Sequence, residues 1–256
     1  MPYILPSCSS APRIPSVNMS SSSYSLHFKP DDAVEVGLDE AGRGCLFGRL
    51  YVGAVVFAKD EEDFFDHGVT LKLIKDSKVL TERKRAVLYD YIQECALDKA
   101  VAFAESTEVD EFNVLAADMR CMHRALDALT VPVDRILVDG DHWRPWTAEG
   151  ATKPTEAHVI VDGDAQFLSI AAAGILAKVA RDRWVEEVCL ANPEWNEHYG
   201  LLSNKGYGTA AHLKGLAEFG TTEQHRRSYA PVRGALGLPT QKGGKGGKRG
   251  VWTGEV

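Results

Sequence analysis

Apolar and polar positions alternate from Ala33 to Leu38, with β-branched Val34 and Val36, which predicts a strand. Leu50 to Ala58 is almost continuously apolar and predicts a second strand, hairpinned to the first. Thr81 is placed to N-cap a helix running through about Leu97, and Val101 to Ala104 reads as a third, short strand. Val109, Phe112, Leu115, Ala116, Met119, Met122, Leu126 and Leu129 recur at three- and four-residue steps, the signature of an amphipathic helix buried on one face. At that spacing the two methionines are core residues. Arg135 to Val138 and His158 to Val161 are short buried-type strands. A long helix then runs from about Leu168 into Leu190 and is closed by Asn192-Pro193. Thr209 starts one more helix, with Gly220 as its C-terminal cap, and from His225 onward the chain is irregular. Antiparallel strands followed by strand–helix–strand units predict an α/β chain with a mixed sheet and helices packed on it.

The ends of the chain differ from its middle. Residues 1–32 are rich in Ser and Pro with no acidic residue before Asp31, a composition that predicts disorder. Scarce acid and abundant Ser also fit an organelle-targeting segment, although Arg13 and Lys29 are its only basic residues. Residues 33–235 are expected to form the folded domain, and 236–256 a flexible Gly/Lys-rich tail. Asp60 to Gly68 reads as an acidic loop. The five cysteines are odd in number and contain no C-x-x-C pair, which fits reduced thiols in an intracellular protein. The longest apolar run, Leu168 to Ala177, is too short to span a bilayer, so no membrane association is expected. A net charge of −7 argues against a protein that coats nucleic acid non-specifically. It leaves room for a nuclease with a local basic surface.

Candidate chemistry collects at strand ends. Asp39 and Glu40 close the first strand, Asp139 the fourth, and Asp162 and Asp164 follow the fifth. Ligands bind beyond the carboxyl ends of strands in open sheets. Taken singly, each acid reads as a solvated strand end. Gathered in one pocket, the carboxylates would repel one another unless divalent cations lay between them. Two such ions, about 3.5–4 Å apart, can bind both the attacking and the leaving oxygen of a phosphodiester displacement. Neighbouring strand residues face opposite ways, so Asp39 and Glu40 can both point inward only if the strand ends there.

Gly37-x-Asp39-Glu40-Ala41-Gly42-Arg43-Gly44 resembles the signature of the type 2 ribonuclease H (ribonuclease HII) family, and Arg43 favours type 2 over type 3. Four further segments appear in the family's order between about Val34 and Val232. They are Asp76-Ser77-Lys78, Val138-Asp139-Gly140, Gly163-Asp164 with the following Ser169-to-Asp182 helix, and Lys205-Gly206-Tyr207-Gly208-Thr209-x-x-His212, with His225-Arg226-Arg227-Ser228-Tyr229 similar to a last one in which Tyr229 stands in place of the family's Phe. The resemblance implies a ribonuclease H-like mixed five-stranded sheet flanked by helices, with a C-terminal helical extension. It implies Asp39, Glu40, Asp139 and Asp164 as the catalytic, metal-holding residues, and Mg²⁺ or Mn²⁺ as cofactor. Asp164 is preferred over Asp162 because the family places its acid after Gly and just before the helix. Gly174 stands where the family usually has Ser, and marks either a weak point in the helix or close packing on the sheet.

The resemblance further implies an endonuclease that cuts 5′ of ribonucleotides in an RNA/DNA hybrid or in duplex DNA, leaving 3′-hydroxyl and 5′-phosphate ends. Gly42, Arg43, Gly44 and Tyr207 would read the ribonucleotide, whose 2′-hydroxyl is what separates RNA from DNA. Tyr207 is otherwise a loop anchor. Lys78 is a phosphate contact or a solvated lysine. Lys178 and Arg181 form a phosphate grip or a surface pair. His212 and His225 are read as structural. Cys45 and Arg49 stand where the family generally shows prolines, so a less rigid turn is expected. Gln241 is followed by glycines and lysines instead of aromatics, so no sliding-clamp peptide is expected, and the chain is expected to be a monomer. Two rivals are another nuclease or strand-transfer enzyme of the same fold, and a hybrid-binding module that does not cleave.

Overall fold

A computed structural model describes residues 24–59, 73–74 and 76–239. The strands are β1 (Glu35–Ala41), β2 (Leu50–Val56), β3 (Asp98–Ala104), β4 (Arg135–Asp139) and β5 (Glu156–Ile160). They form one five-stranded sheet in the order β3-β2-β1-β4-β5. β1 pairs antiparallel with β2, from Val36 opposite Val56 to Ala41 opposite Tyr51. On its other side β1 runs parallel to β4, with Leu38 opposite Val138, and β4 runs parallel to β5. The expected mixed α/β sheet is therefore the observed one.

The helices are α1 (Glu82–Cys95), α2 (Ser106–Phe112), α3 (Val114–Asp127), α4 (Leu168–Ala191), α5 (Pro193–Tyr199), α6 (Leu201–Asn204), α7 (Ala210–Phe219) and α8 (Ala230–Ala235). Thr81 caps α1 by accepting from the Lys84 amide, and Thr209 caps α7 by accepting from the His212 amide. The single amphipathic helix expected over 109–129 is two helices. Asn113 breaks it by taking a left-handed backbone, φ 64°, and its Oδ1 accepts from the Leu115 and Ala116 amides to start α3. A polar cap inside a continuous apolar stripe leaves the periodicity intact, so pattern alone joins the two.

Contacts divide the described residues into two units, one of 24–41, 51–103 and 118–181, the other of 42–50, 104–117 and 182–239. In the first unit α4 lies directly on the sheet. Ile170 to Ala177 are all buried, and two strand glycines let the backbones touch. A Cβ at Gly37 would fall 2.2 Å from the Ser169 carbonyl carbon, and one at Gly53 2.2 Å from the Ala173 oxygen. Val55, Phe57, Ile74, Leu88, Ile92 and the α4 face from Leu168 to Val179 form its core. Residues 24–32, read from composition as part of the N-terminal extension, are in contact with this unit. Ser25 exchanges backbone hydrogen bonds with Gln166 and Leu168, and Tyr24 and Leu26 pack on the core. The rest of that extension, the acidic loop of 60–68 and the Gly/Lys tract beyond 240 lie outside the described residues.

Candidate active site

β1 runs to Ala41, so Asp39 and Glu40 sit inside the strand, a longer strand than the alternation predicts because pairing with β2 continues to Tyr51. The parallel register sets Asp39 level with Asp139, the last residue of β4. After β5 the chain makes a left-handed bend at Asp162, φ 53°, and a single 3₁₀ turn over Gly163–Ala165 that delivers Asp164 just ahead of α4. Asp39, Asp139 and Asp164 then present carboxylate oxygens within 4.8 Å of one another. Asp162 is exposed and outside that group.

Asp39 and Asp164 are buried, and Asp139 is half-buried. Asp139 Oδ1 accepts from the Gly163 amide at 2.7 Å and the Asp164 amide at 3.3 Å, which ties the end of β4 to the turn before α4. Asp39 Oδ1 accepts from the Glu40 amide at 2.7 Å. Burial, and then the charges of Glu40 and Asp139, push the Asp39 carboxyl well above the usual carboxylate range. Burial and the charge of Asp164 push Asp139 up as well, against the two amides that favour its ionised form. Glu40 is partly exposed and outside the group of converging oxygens, but its charge acts on both Asp39 and Asp139.

Lys78 Nζ lies 3.0 Å from Asp164 Oδ2, with most of the lysine side chain in solvent. Partial burial works against its charge, but the Asp164 bond and charge outweigh that and hold the ammonium above its ordinary range. Gly174 marks close packing, because a Cβ there would fall 2.2 Å from Asp39 Oδ2. The carboxylate meets the helix at Gly174 through its Oδ2. Lys178 is half-buried on α4, whereas Arg181 is fully buried. That corrects the reading of Lys178 and Arg181 as a joint phosphate grip, since an interior guanidinium does not reach a phosphate at the surface.

The fit to a divalent cation follows from the donor set. Three carboxylates supply only hard oxygen ligands, and two of them, Asp39 and Asp164, are buried. A cation among them would relieve the repulsion that raises Asp39 and Asp139.

Gly42, Arg43, Gly44 and Tyr207 all lie in the second unit. Gly42 takes φ 97° and its carbonyl closes a turn with the Cys45 amide. Cys45 bridges Tyr207 in antiparallel fashion, and the Leu46 amide donates to Gly206, which sets the tyrosine beside the turn. A Cβ on Gly44 would stand 3.8 Å from Tyr207 Cε1, and the ring is 44% exposed.

Behind Tyr207 lie two buried histidines whose tautomers are determined by their neighbours. The Thr222 amide donates to His225 Nδ1 at 2.9 Å, so His225 carries its proton on Nε2. That nitrogen lies 3.0 Å from His212 Nε2, which must accept. His212 then carries its proton on Nδ1 and donates to the Tyr207 carbonyl at 3.0 Å. Burial lowers His212 below its ordinary range, and burial with the nearby His212 pushes His225 down to about 3. The pair is neutral, as a chain of single donors requires. The sequence marks both histidines as structural, but their pairing across 13 residues is not legible in it.

An acidic cluster at the carboxyl ends of a mixed five-stranded sheet, with a helix laid across it, defines a metal-dependent phosphodiester hydrolase of the ribonuclease H fold. The family model for ribonuclease HII matches residues 36–232. The chain belongs to the ribonuclease HII family and is an endoribonuclease of ribonuclease H type 2. A ribonuclease HII of Polaromonas sp. is 41% identical over 200 residues, covering 78% of this chain and 91% of that one. The crystal structure of ribonuclease H2 from Pyrococcus horikoshii OT3 is 25% identical, with a TM-score of 0.61 over 78% of this chain and 96% of that chain. Bst ribonuclease HIII in complex with Mn²⁺ shares the fold at 18% identity, with a TM-score of 0.56 over 80% of this chain and 70% of that one. Among the described residues no helix is long and apolar enough to cross a membrane.

Proposed function

We propose that the chain hydrolyses the phosphodiester on the 5′ side of a ribonucleotide, in an RNA/DNA hybrid or embedded in duplex DNA, leaving 3′-hydroxyl and 5′-phosphate ends. One observation carries the reading: three carboxylates from β1, β4 and the turn before α4 converge within 4.8 Å. Asp39, Asp139 and Asp164 would hold the divalent cation, Mg²⁺ or Mn²⁺, and Glu40, whose charge already acts on two of them, would complete the set. The ion supplies charge neutralisation at the phosphate and an activated water.

The remaining roles belong to the chain. Lys78, largely in solvent while its amine touches Asp164, can move to a phosphate oxygen of the substrate. Lys178 is a second candidate phosphate contact. Gly42, Arg43 and Gly44 present backbone groups, and Tyr207 an exposed ring face, suited to a ribose and its 2′-hydroxyl. We further read the enzyme as an intracellular monomer with hybrid or ribonucleotide-bearing duplex as its partner. The test is incubation with a duplex carrying one ribonucleotide, and with an all-DNA control, in Mg²⁺ or Mn²⁺. A single nick that needs the ribonucleotide is expected. Equal cutting of both duplexes would point to another nuclease of this fold, and tight binding without cutting to a hybrid-binding module.

A further inference from the structure

The segment His225 to Tyr229 grips the Gly-Arg-Gly turn by its carbonyls. Arg226 is fully buried, and its Nη1 donates to the Gly42 carbonyl at 2.8 Å and to the Arg43 carbonyl at 3.1 Å. Its Nε donates to the Gly48 carbonyl at 2.8 Å, where the loop turns back with φ 78°. The Tyr229 hydroxyl donates to the Arg43 carbonyl as well, and the Arg226 guanidinium lies 5.5 Å from the centre of the Tyr229 ring. Burial raises the Tyr229 phenol, so it remains a donor at neutral pH. Asp110 anchors the segment from outside by accepting from the Arg227 and Ser228 amides and the Ser228 hydroxyl.

Peptide planes convert this grip into an orientation. In a trans peptide the carbonyl and the following amide point in opposite directions, and the described chain has no cis bond. With the Gly42 and Arg43 carbonyls drawn to Arg226 and Tyr229, the Arg43 and Gly44 amides point the opposite way. Two successive donors thus face away from the buried arginine. We propose that Arg226 and Tyr229 are positioning residues for ribonucleotide recognition: they set the two peptide planes of the turn, so that its amides meet the sugar already oriented. The turn at Cys45 and Arg49 is accordingly held by side chains, since Arg49 also pairs with Glu105 at 2.7 Å. The proposal rests on the reading of the Gly-Arg-Gly turn as the ribonucleotide reader.

Tyr229→Phe removes one hydroxyl and leaves the ring. On a duplex with a single ribonucleotide, kcat should fall about five- to tenfold, the worth of one hydrogen bond, with KM within about twofold. The Tm and the Mg²⁺ affinity measured by calorimetry should stay at the wild-type values. Arg226→Lys keeps the charge but loses the fork, and should lose more activity; because it alters a buried group, Tyr229→Phe decides. Wild-type kcat and KM in Tyr229→Phe would overturn the proposal while leaving the nuclease reading intact. A loss of activity that tracks a fall in Tm would overturn it too, as the mark of a merely structural role. A wild-type protein that does not nick the ribonucleotide duplex would overturn the underlying reading and the proposal together.

Discussion

Asp39 is held in a conflict that either a proton or a cation would relieve. It is buried, flanked by Glu40 and Asp139, and pressed against the α4 backbone at Gly174. A carboxyl whose folded pKa is raised contributes stability that is fully present below its unfolded value, near 4, and is lost as pH rises through the folded pKa. The metal-free protein therefore loses stability progressively as pH rises above about 4. Asp39→Asn removes one charge with little change in volume. It should raise the Tm of the metal-free protein at pH 7 and change it much less near pH 4. It should also abolish the metal-induced rise in Tm and lower nicking by about 10²-fold or more. Thermal unfolding with and without Mg²⁺, beside a nicking assay, checks both; a lower metal-free Tm in the variant at pH 7 would contradict the conflict.

At the level of elements, the helix–sheet contact is the most sharply determined feature. Gly53 leaves no room for a methyl group, since the nearest atom is the Ala173 carbonyl oxygen of a rigid helix. Gly53→Ala should cost about 3 kcal/mol in urea unfolding, because neither backbone can give way. Asn113 makes a different contribution. It supplies both the left-handed residue and the cap of α3, so Asn113→Ala should cost about 1–2 kcal/mol and Asn113→Gly well under 1, the glycine losing only the cap. These two positions also show what the sequence can reveal. The strands and α4 were legible from their apolar pattern, and α1 and α7 because a capping threonine marks the start of each. The break at Asn113 was not, since it leaves the period undisturbed. Asp164 could be ranked over Asp162 only through the family's order of residues; the physical reason, a bend at Asp162 that turns it out and Asp164 in, needs coordinates. The burial of Arg181 was hidden for a similar reason. Its spacing from Lys178 suits a surface pair, and which face of α4 is covered depends on residues far away in sequence. The carbonyl grip of Arg226 joins residues 184 apart, beyond the reach of any local pattern.

Over the whole molecule, two titrations of opposite sign fall in different units. The acidic cluster belongs to the unit containing the sheet, and His212 and His225 to the other. For His225 the folded pKa is depressed, to about 3 from an unfolded value of 6.5. Its contribution is complete above 6.5 and is lost progressively as pH falls toward 3, because the unfolded chain takes up a proton that the folded pair refuses. Between pH 7 and pH 5 that loss is roughly 2 kcal/mol, at about 1.4 kcal/mol per unit below 6.5. Protonation of His225 at Nδ1 sets its N–H against the Thr222 amide across the 2.9 Å contact, and protonation of His212 at Nε2 sets N–H against N–H across the 3.0 Å contact between the rings. Acid should thus loosen the second unit, while a divalent cation should tighten the first, more at neutral pH than in acid, where protons compete with the ion for the carboxylates. Hydrogen exchange corrected for its intrinsic pH dependence can separate the two. Lowering the pH from 7 to 5 should speed exchange in α7 and around 205–212, with or without metal. Adding Mg²⁺ or Mn²⁺ at pH 7 should slow exchange in β1, β4 and the start of α4, and do so much less at pH 5. Acid-induced loosening centred on the sheet would show that the histidine chain does not govern the response to pH.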